Sequence, residues 1–156
     1  MKLLILFILL IPRITFSQEI NSTERRGANN VYTDAIKQYL TFIENERKIK
    51  LDTFIIEQKG HYSDSISPRI KDTYIQKANA SDINKLLDKG NSFVLYGLSP
   101  LSFDKGQFFI SIVPFVSTKD RGDGVRLEVS GGSKIIYSFD AKSRNFKFIK
   151  VENWGI

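Results

Sequence analysis

Between Val31 and Ile43 the apolar positions fall at Val31, Tyr32, Ala35, Ile36, Tyr39, Leu40 and Ile43. That spacing draws a single stripe along a helix. Asn29 or Asn30 is placed to cap its start, because a short side-chain oxygen satisfies an orphan backbone N–H. Asp34 falls in an early turn and Arg47-Lys48 in a late one, the order that the helix dipole favours. The pattern then changes. Thr53 to Gln58, centred on Phe54, Ile55 and Ile56, reads as a strand. Residues 59–69 carry Gly60, Ser63, Asp64, Ser65, Ser67 and Pro68 and read as a loop. Residues 70–77 lean to strand through Tyr74 and Ile75. A short second helix follows, with Ser81 as its cap, Ile83, Leu86 and Leu87 on its buried side and Gly90 at its end.

From Ser92 onward the pattern is strand and turn. Phe93 to Leu98 is one strand, set off by Ser99-Pro100 and Asp104-Lys105-Gly106 from a long one at Gln107 to Thr118. The long strand is apolar on both faces, Phe108, Ile110 and Ile112 on one and Phe109, Val113 and Phe115 on the other, as a central strand is. Pro114 cannot donate to a ladder and so implies a bulge or a local edge. Val125–Ser130, Ser133–Asp140 and Phe146–Trp154 close the chain. A three-residue Ser130-Gly131-Gly132 loop would set Leu127 opposite Ile135 with Gly132 in the left-handed region, so that the apolar faces match. Across the next loop, Phe139 opposite Phe146 brings Tyr137 opposite Phe148, an aromatic ladder on one face.

Helices gathered early and strands gathered late predict an α+β fold: a long N-terminal helix and a short second helix packed on a curved antiparallel sheet of about 5–6 strands. In shape alone this resembles cystatin-like or NTF2-like architecture. The cystatin inhibitor signature, Gln-x-Val-x-Gly in a hairpin, is not matched by Leu127-Glu128-Val129-Ser130-Gly131-Gly132.

Ahead of this domain, Lys2 precedes an unbroken apolar run from Leu3 to Ile11, ended by Pro12, and Thr15-Phe16-Ser17 puts small residues at −3 and −1 of a cut between Ser17 and Gln18. These are the three parts of a secretory signal peptide in order. The run is shorter than the roughly 20 residues a membrane span requires. Without cysteine there is no lipoprotein anchor and no disulfide. The expected organisation is a signal peptide at 1–17, a flexible leader at 18–28 and one globular domain at 29–156. The product would be secreted or periplasmic, of bacterial type. Loss of Lys2 and Arg13 with the leader lowers the net charge from +6 to about +4. That mild excess favours anionic envelope polymers slightly and specifies no partner.

Candidate chemistry is sparse. Structural zinc sites draw mainly on Cys and His, and His61 is the single histidine. It stands in a loop beside Ser63 and Asp64, but no Gly-x-Ser-x-Gly elbow exists, and triad members meet in space rather than in sequence. Asp120-Arg121-Gly122-Asp123-Gly124 fails the calcium-loop pattern, which would require a Glu where Gly131 stands. Its Arg-Gly-Asp tripeptide is the ordinary composition of a tight turn. Arg47-Lys48-Ile49-Lys50 lacks the aromatic interleaving of a nucleic-acid surface. The tripeptides at Asn21 and Asn79 match the N-glycosylation pattern only as chance matches do. Glu57, Asp104, Glu128 and Glu152 are the carboxylates a glycoside-hydrolase pair would draw on. Trp154, the single tryptophan, is expected to anchor the last strand. No catalytic, cofactor or metal residue is assigned. The reading is a non-enzymatic binding or interaction module whose partner is an envelope or secreted protein, with no nucleic acid and no membrane anchor in the mature chain. The alternatives are a small hydrolase using a carboxylate pair in a sheet–helix pocket, and an inhibitor or immunity-type protein.

Overall fold

A computed structural model describes residues 30–89, 92–120 and 124–155. The expected signal peptide, its expected Ser17–Gln18 junction and the expected leader lie outside the described residues, as do Arg121-Gly122-Asp123 and Gly90, the expected end of the second helix. In chain order the elements are α1 (Val31–Arg47), β1 (Thr53–Glu57), a 3-10 turn at Ser63–Ser65, β2 (Arg69–Ile70), β3 (Thr73–Ala78) and α2 (Ala80–Lys89). Then come β4 (Ser92–Leu98), β5 (Ser102–Asp104), β6 (Gln107–Lys119), β7 (Val125–Glu128), β8 (Gly131–Asp140) and β9 (Asn145–Gly155).

The fold is α+β, but its sheet is mixed and has nine strands rather than the expected antiparallel five or six. The main order is β2-β3-β1-β4-β6-β8-β9, with β5 and β7 each paired to β6. β1 runs parallel to both β3 and β4. The chain leaves β3, passes through α2 and re-enters as β4 on the far side of β1. A helical crossover of this kind returns the chain in the same direction, which a hairpin cannot do. The sheet is open, with β2 and β9 at its edges.

Alternation along the strands divides the core. Phe54, Ile56, Tyr96, Leu98, Ile110, Ile112, Ile135 and Tyr137 pack with the α1 stripe of Ala35, Ile36, Tyr39, Leu40 and Ile43. Ile55 and Leu95, which point the other way, join Ala78, Phe93 and Phe115 against Ile83 and Leu87 of α2. The two helices thus cover opposite faces. β6 is central as expected: Ile110 and Ile112 are fully buried, while Phe109, Val113 and Phe115 on the other face are half-buried. Asn30 caps α1, its Oδ1 accepting from the N–H groups of Tyr32 and Thr33. α2 is capped by Asn79 rather than by Ser81. Asn79 Oδ1 accepts from Asp82 N–H at 3.0 Å and Asp82 answers to Asn79 N–H at 3.3 Å. This reciprocal box sits two residues earlier than the serine and closes two orphan donors at once.

The expected hairpin between the strands at 125–130 and 133–140 does not form. β7 pairs with β6, placing Leu127 opposite Ser117 and not opposite Ile135. β7 and β8 run in the same direction, one after the other, along one edge of β6, and their ladders stop at Val116 and Ile112. Pro114 lies in the gap. The Ser111 carbonyl accepts from Ser99 N–H on the opposite side, so by alternation the position of the missing Pro114 donor faces β7 and β8. The edge expected at this proline is therefore local and one-sided. Gly131 and Gly132 are not a turn either, and neither has a positive φ. They are strand residues under close approach. A methyl on Gly131 would strike the Trp154 carbonyl, and one on Gly132 would strike the Trp154 ring. The β8–β9 hairpin does follow the expected register, with Phe139 opposite Phe146 and Tyr137 opposite Phe148.

Candidate ligand cleft

A cleft of about 810 Å³ lies where the first turn of α1, the loop at 60–65 and the start of β9 meet. Its aromatic wall is Tyr32 and Tyr62, stacked with ring centroids 4.8 Å apart and planes 18° from parallel, together with Phe146. Both tyrosines are tied down. Tyr62 Oη donates to the Leu98 carbonyl at 2.9 Å, and Tyr32 Oη accepts from Leu101 N–H at 3.0 Å. Burial, then the nearby Tyr32 and Glu57, hold the Tyr62 hydroxyl above the ordinary phenol range, so it stays a donor. Fixed rings lose little conformational entropy when a ligand arrives.

The loop under the cleft is fastened to α1. Asn30 Nδ2 donates to the Ser65 carbonyl, and Thr33 Oγ1 accepts from Ser67 N–H at 3.2 Å. Within the loop, Ser63 and Ser65 hydroxyls donate to the carbonyls of Gly60 and Tyr62. Ile66 is buried in the core beneath. A short 3-10 turn results because serine hydroxyls supply the local hydrogen bonds that a longer helix would otherwise provide.

On the rim stand His61, Asp64, Arg144 and Asn145. Arg144 has φ +52, a left-handed residue closing the β8–β9 turn, and that conformation sets where β9 begins. None of these four side chains is engaged by a hydrogen bond or ion pair within the described residues. All four end in flat groups, and together they offer donors and acceptors.

His61 and Asp64 were singled out in the sequence, and they do share one site. Ser63 does not join them, since its hydroxyl is buried and committed to Gly60. The four candidate carboxylates are not brought together and none lines this cleft. Glu128 pairs with Arg126 at 2.8 Å and Glu152 with Lys150 at 2.6 Å. A second hollow, about 120 Å³, does hold two carboxylates, Glu44 and Asp72. Each is occupied by a lysine, Lys71 at 2.9 Å and Lys50 at 3.3 Å. The Lys71 hydrogen bond and charge lower the Glu44 pKa, the reverse of what a general acid requires. The basic cluster is likewise accounted for locally: Arg47 lies over Phe42, Lys48 Nζ donates to the Asn45 carbonyl, and Lys50 pairs with Asp72.

Tyr32, Tyr62, Arg144, Asn145 and Phe146 carried no signal of a site in the sequence. Tyr32 reads as part of a core stripe, Tyr62 as a loop residue, and Arg144, Asn145 and Phe146, some eighty residues further on, as the turn and ladder strand that end the chain. Set beside known proteins, the chain matches no family model, no curated relative and no solved structure.

Proposed function

We propose that the mature chain is an exported, non-enzymatic binding module that takes a sugar ring in the cleft at the start of α1. One observation carries this reading: a wall of pinned tyrosines lines one cleft with four planar polar side chains that have no partner among the described residues. A sugar presents a C–H face that packs on an aromatic ring and hydroxyls that are both donors and acceptors. Flat groups such as carboxylate, guanidinium and amide engage adjacent hydroxyls in pairs. Small-molecule sites combine an apolar lining with a few placed polar groups in this way. Asp64 is the one carboxylate on the lining among the described residues. The paired-carboxylate hydrolase is therefore the weaker reading, since it requires two acids flanking one bond. Secreted or periplasmic placement rests on the leader sequence, and a cystatin-like or NTF2-like outline remains an analogy of shape.

The test is a glycan array probed with chain beginning at Gln18, followed by calorimetry on the sugars that bind. Arg144→Ala is expected to weaken binding at least tenfold, and Tyr62→Ala further. Arg144 is exposed in a turn, so its loss leaves the fold intact. An array without binders, or binding that neither substitution changes, overturns the proposal.

A further inference from the structure

The aromatic wall does not end at the mouth of the cleft. Phe103, Phe108, Phe139, Phe146 and Phe148 stand on the sheet face that α1 covers. They are linked to one another and to Tyr137 through the cross-strand pairs Phe103–Phe108, Phe108–Tyr137, Tyr137–Phe148 and Phe139–Phe146. Their rings touch in series, Phe103 to Phe108 at 4.8 Å, Phe108 to Phe146 at 5.2 Å and Phe146 to Phe139 at 5.2 Å. The first turn of α1 meets this row at Tyr137, and Phe108 and Phe146 pack against the core that α1 covers. Beyond it, Phe103 is 63% exposed, Phe139 47% and Phe148 40%. Phe146 belongs both to this ledge and to the cleft.

The ledge crosses β5, β6, β8 and β9, three strand spacings or about 14 Å, which is longer than one sugar ring. The turns at the same end of the sheet carry Lys105, Lys142 and Arg144, with Asp104 beside them and Asp64 in the cleft, and none of these is ion-paired within the described residues. Donors and acceptors of both signs thus border a row of rings. That suits hydroxyl-rich units laid end to end, while a second copy would bring the same net positive charge to the contact.

We infer that the ligand is an oligosaccharide, held by one ring in the cleft and by further rings along the ledge from Phe146 toward Phe139 and Phe103. This rests on the sugar-binding reading of the cleft. The probes are one- to six-unit series of β-1,4-linked glucose, β-1,4-linked N-acetylglucosamine and α-1,4-linked galacturonate, titrated calorimetrically into chain beginning at Gln18. In at least one series the tetramer is expected to bind ten or more times tighter than the dimer. The double variant Phe103→Ala/Phe139→Ala is expected to bring that ratio to within twofold of one, whereas Leu127→Ala, at the other end of the sheet, keeps it. Both phenylalanines are exposed, and melting curves against Leu127→Ala check that the variants fold. Binding that is independent of length yet weakened by Arg144→Ala overturns the ledge and leaves the cleft. Absence of binding in every series overturns both. A concentration-dependent dimer that Phe103→Ala/Phe139→Ala dissolves would show the ledge covered by a second copy, and also overturns the inference.

Discussion

Tyr137 Oη donates to Asp34 Oδ2 at 3.0 Å, joining the middle of β8 to the first turn of α1 across 103 residues of chain. The ring is 1% exposed. Asp34 serves the helix dipole and also accepts from Gln38 through its other oxygen at 3.3 Å. This bond ties the first turn of α1, which lines the cleft, to the sheet.

Breaking it should be asymmetric. Tyr137→Phe removes the donor and leaves a carboxylate that keeps Gln38 and partial access to water, at a cost of about 1–2 kcal/mol. Asp34→Ala strands a buried hydroxyl and also removes a charge from the helix N-terminus, so its cost should be the larger. In urea denaturation the double variant is expected to lose less than the sum of the two. Strict additivity would mean the bond contributes nothing.

Alkaline titration should show the burial of the tyrosines. Tyr39, Tyr62, Tyr96 and Tyr137 all ionise above the ordinary value of 10.0, chiefly because burial disfavours the phenolate, with the Asp34 charge adding to the effect at Tyr137. Raised folded pKa values mean stability that is intact below pH 10 and falls as the pH climbs above it, where the unfolded chain ionises first. Phenolate absorbance is expected to rise together with loss of structure. Full ionisation of all six tyrosines with the fold intact would contradict this.

At the acid end the informative group is Asp140. A hydrogen bond from Lys147, then the backbone N–H groups of Lys142 and Ser143, lower its pKa from 3.8 to about 2. The turn before β9 therefore gains from the charged carboxylate above pH 4, and the gain is lost as the pH falls toward 2. In an NMR titration, Lys147→Met should move the Asp140 pKa up toward 3.8. An unchanged value would place the cause in the turn backbone alone.

Gly131 and Gly132 of β8 and Gly106 of the β5–β6 turn should rank by what surrounds them. Gly131→Ala meets the backbone of β9, which cannot move aside. Gly132→Ala meets the Trp154 ring, with the Ile112 carbonyl 3.0 Å away. Gly106→Ala meets nothing but adopts φ +82, a cost of about 1 kcal/mol. Thermal melts are expected to order them Gly131, Gly132, Gly106, from largest loss to smallest. Trp154 fluorescence should shift in Gly132→Ala and not in Gly106→Ala.

Wherever one element's own periodicity was enough, the sequence could be read. α1 with its Asn30 cap, β1, the long β6 and the Phe139–Phe146 register all follow from local spacing, because side-chain direction repeats every 3.6 or 2 residues and a one-residue slip would expose the apolar face. Choice of neighbour was not legible. Val125, Leu127, Ile135 and Tyr137 have the alternation of a hairpin, yet β7 and β8 both pair with β6. Val125 and Leu127 remain exposed, and Gly131-Gly132 serves close packing instead of a turn. The parallel pairing of β1 was equally hidden, since a strand's pattern does not state its direction. His61 and Asp64 were visible as chemistry without a site. The cleft exists because Tyr32, Tyr62 and Arg144, three residues from separate stretches of chain, meet at the end of α1, and only the packing of helix on sheet decides that meeting.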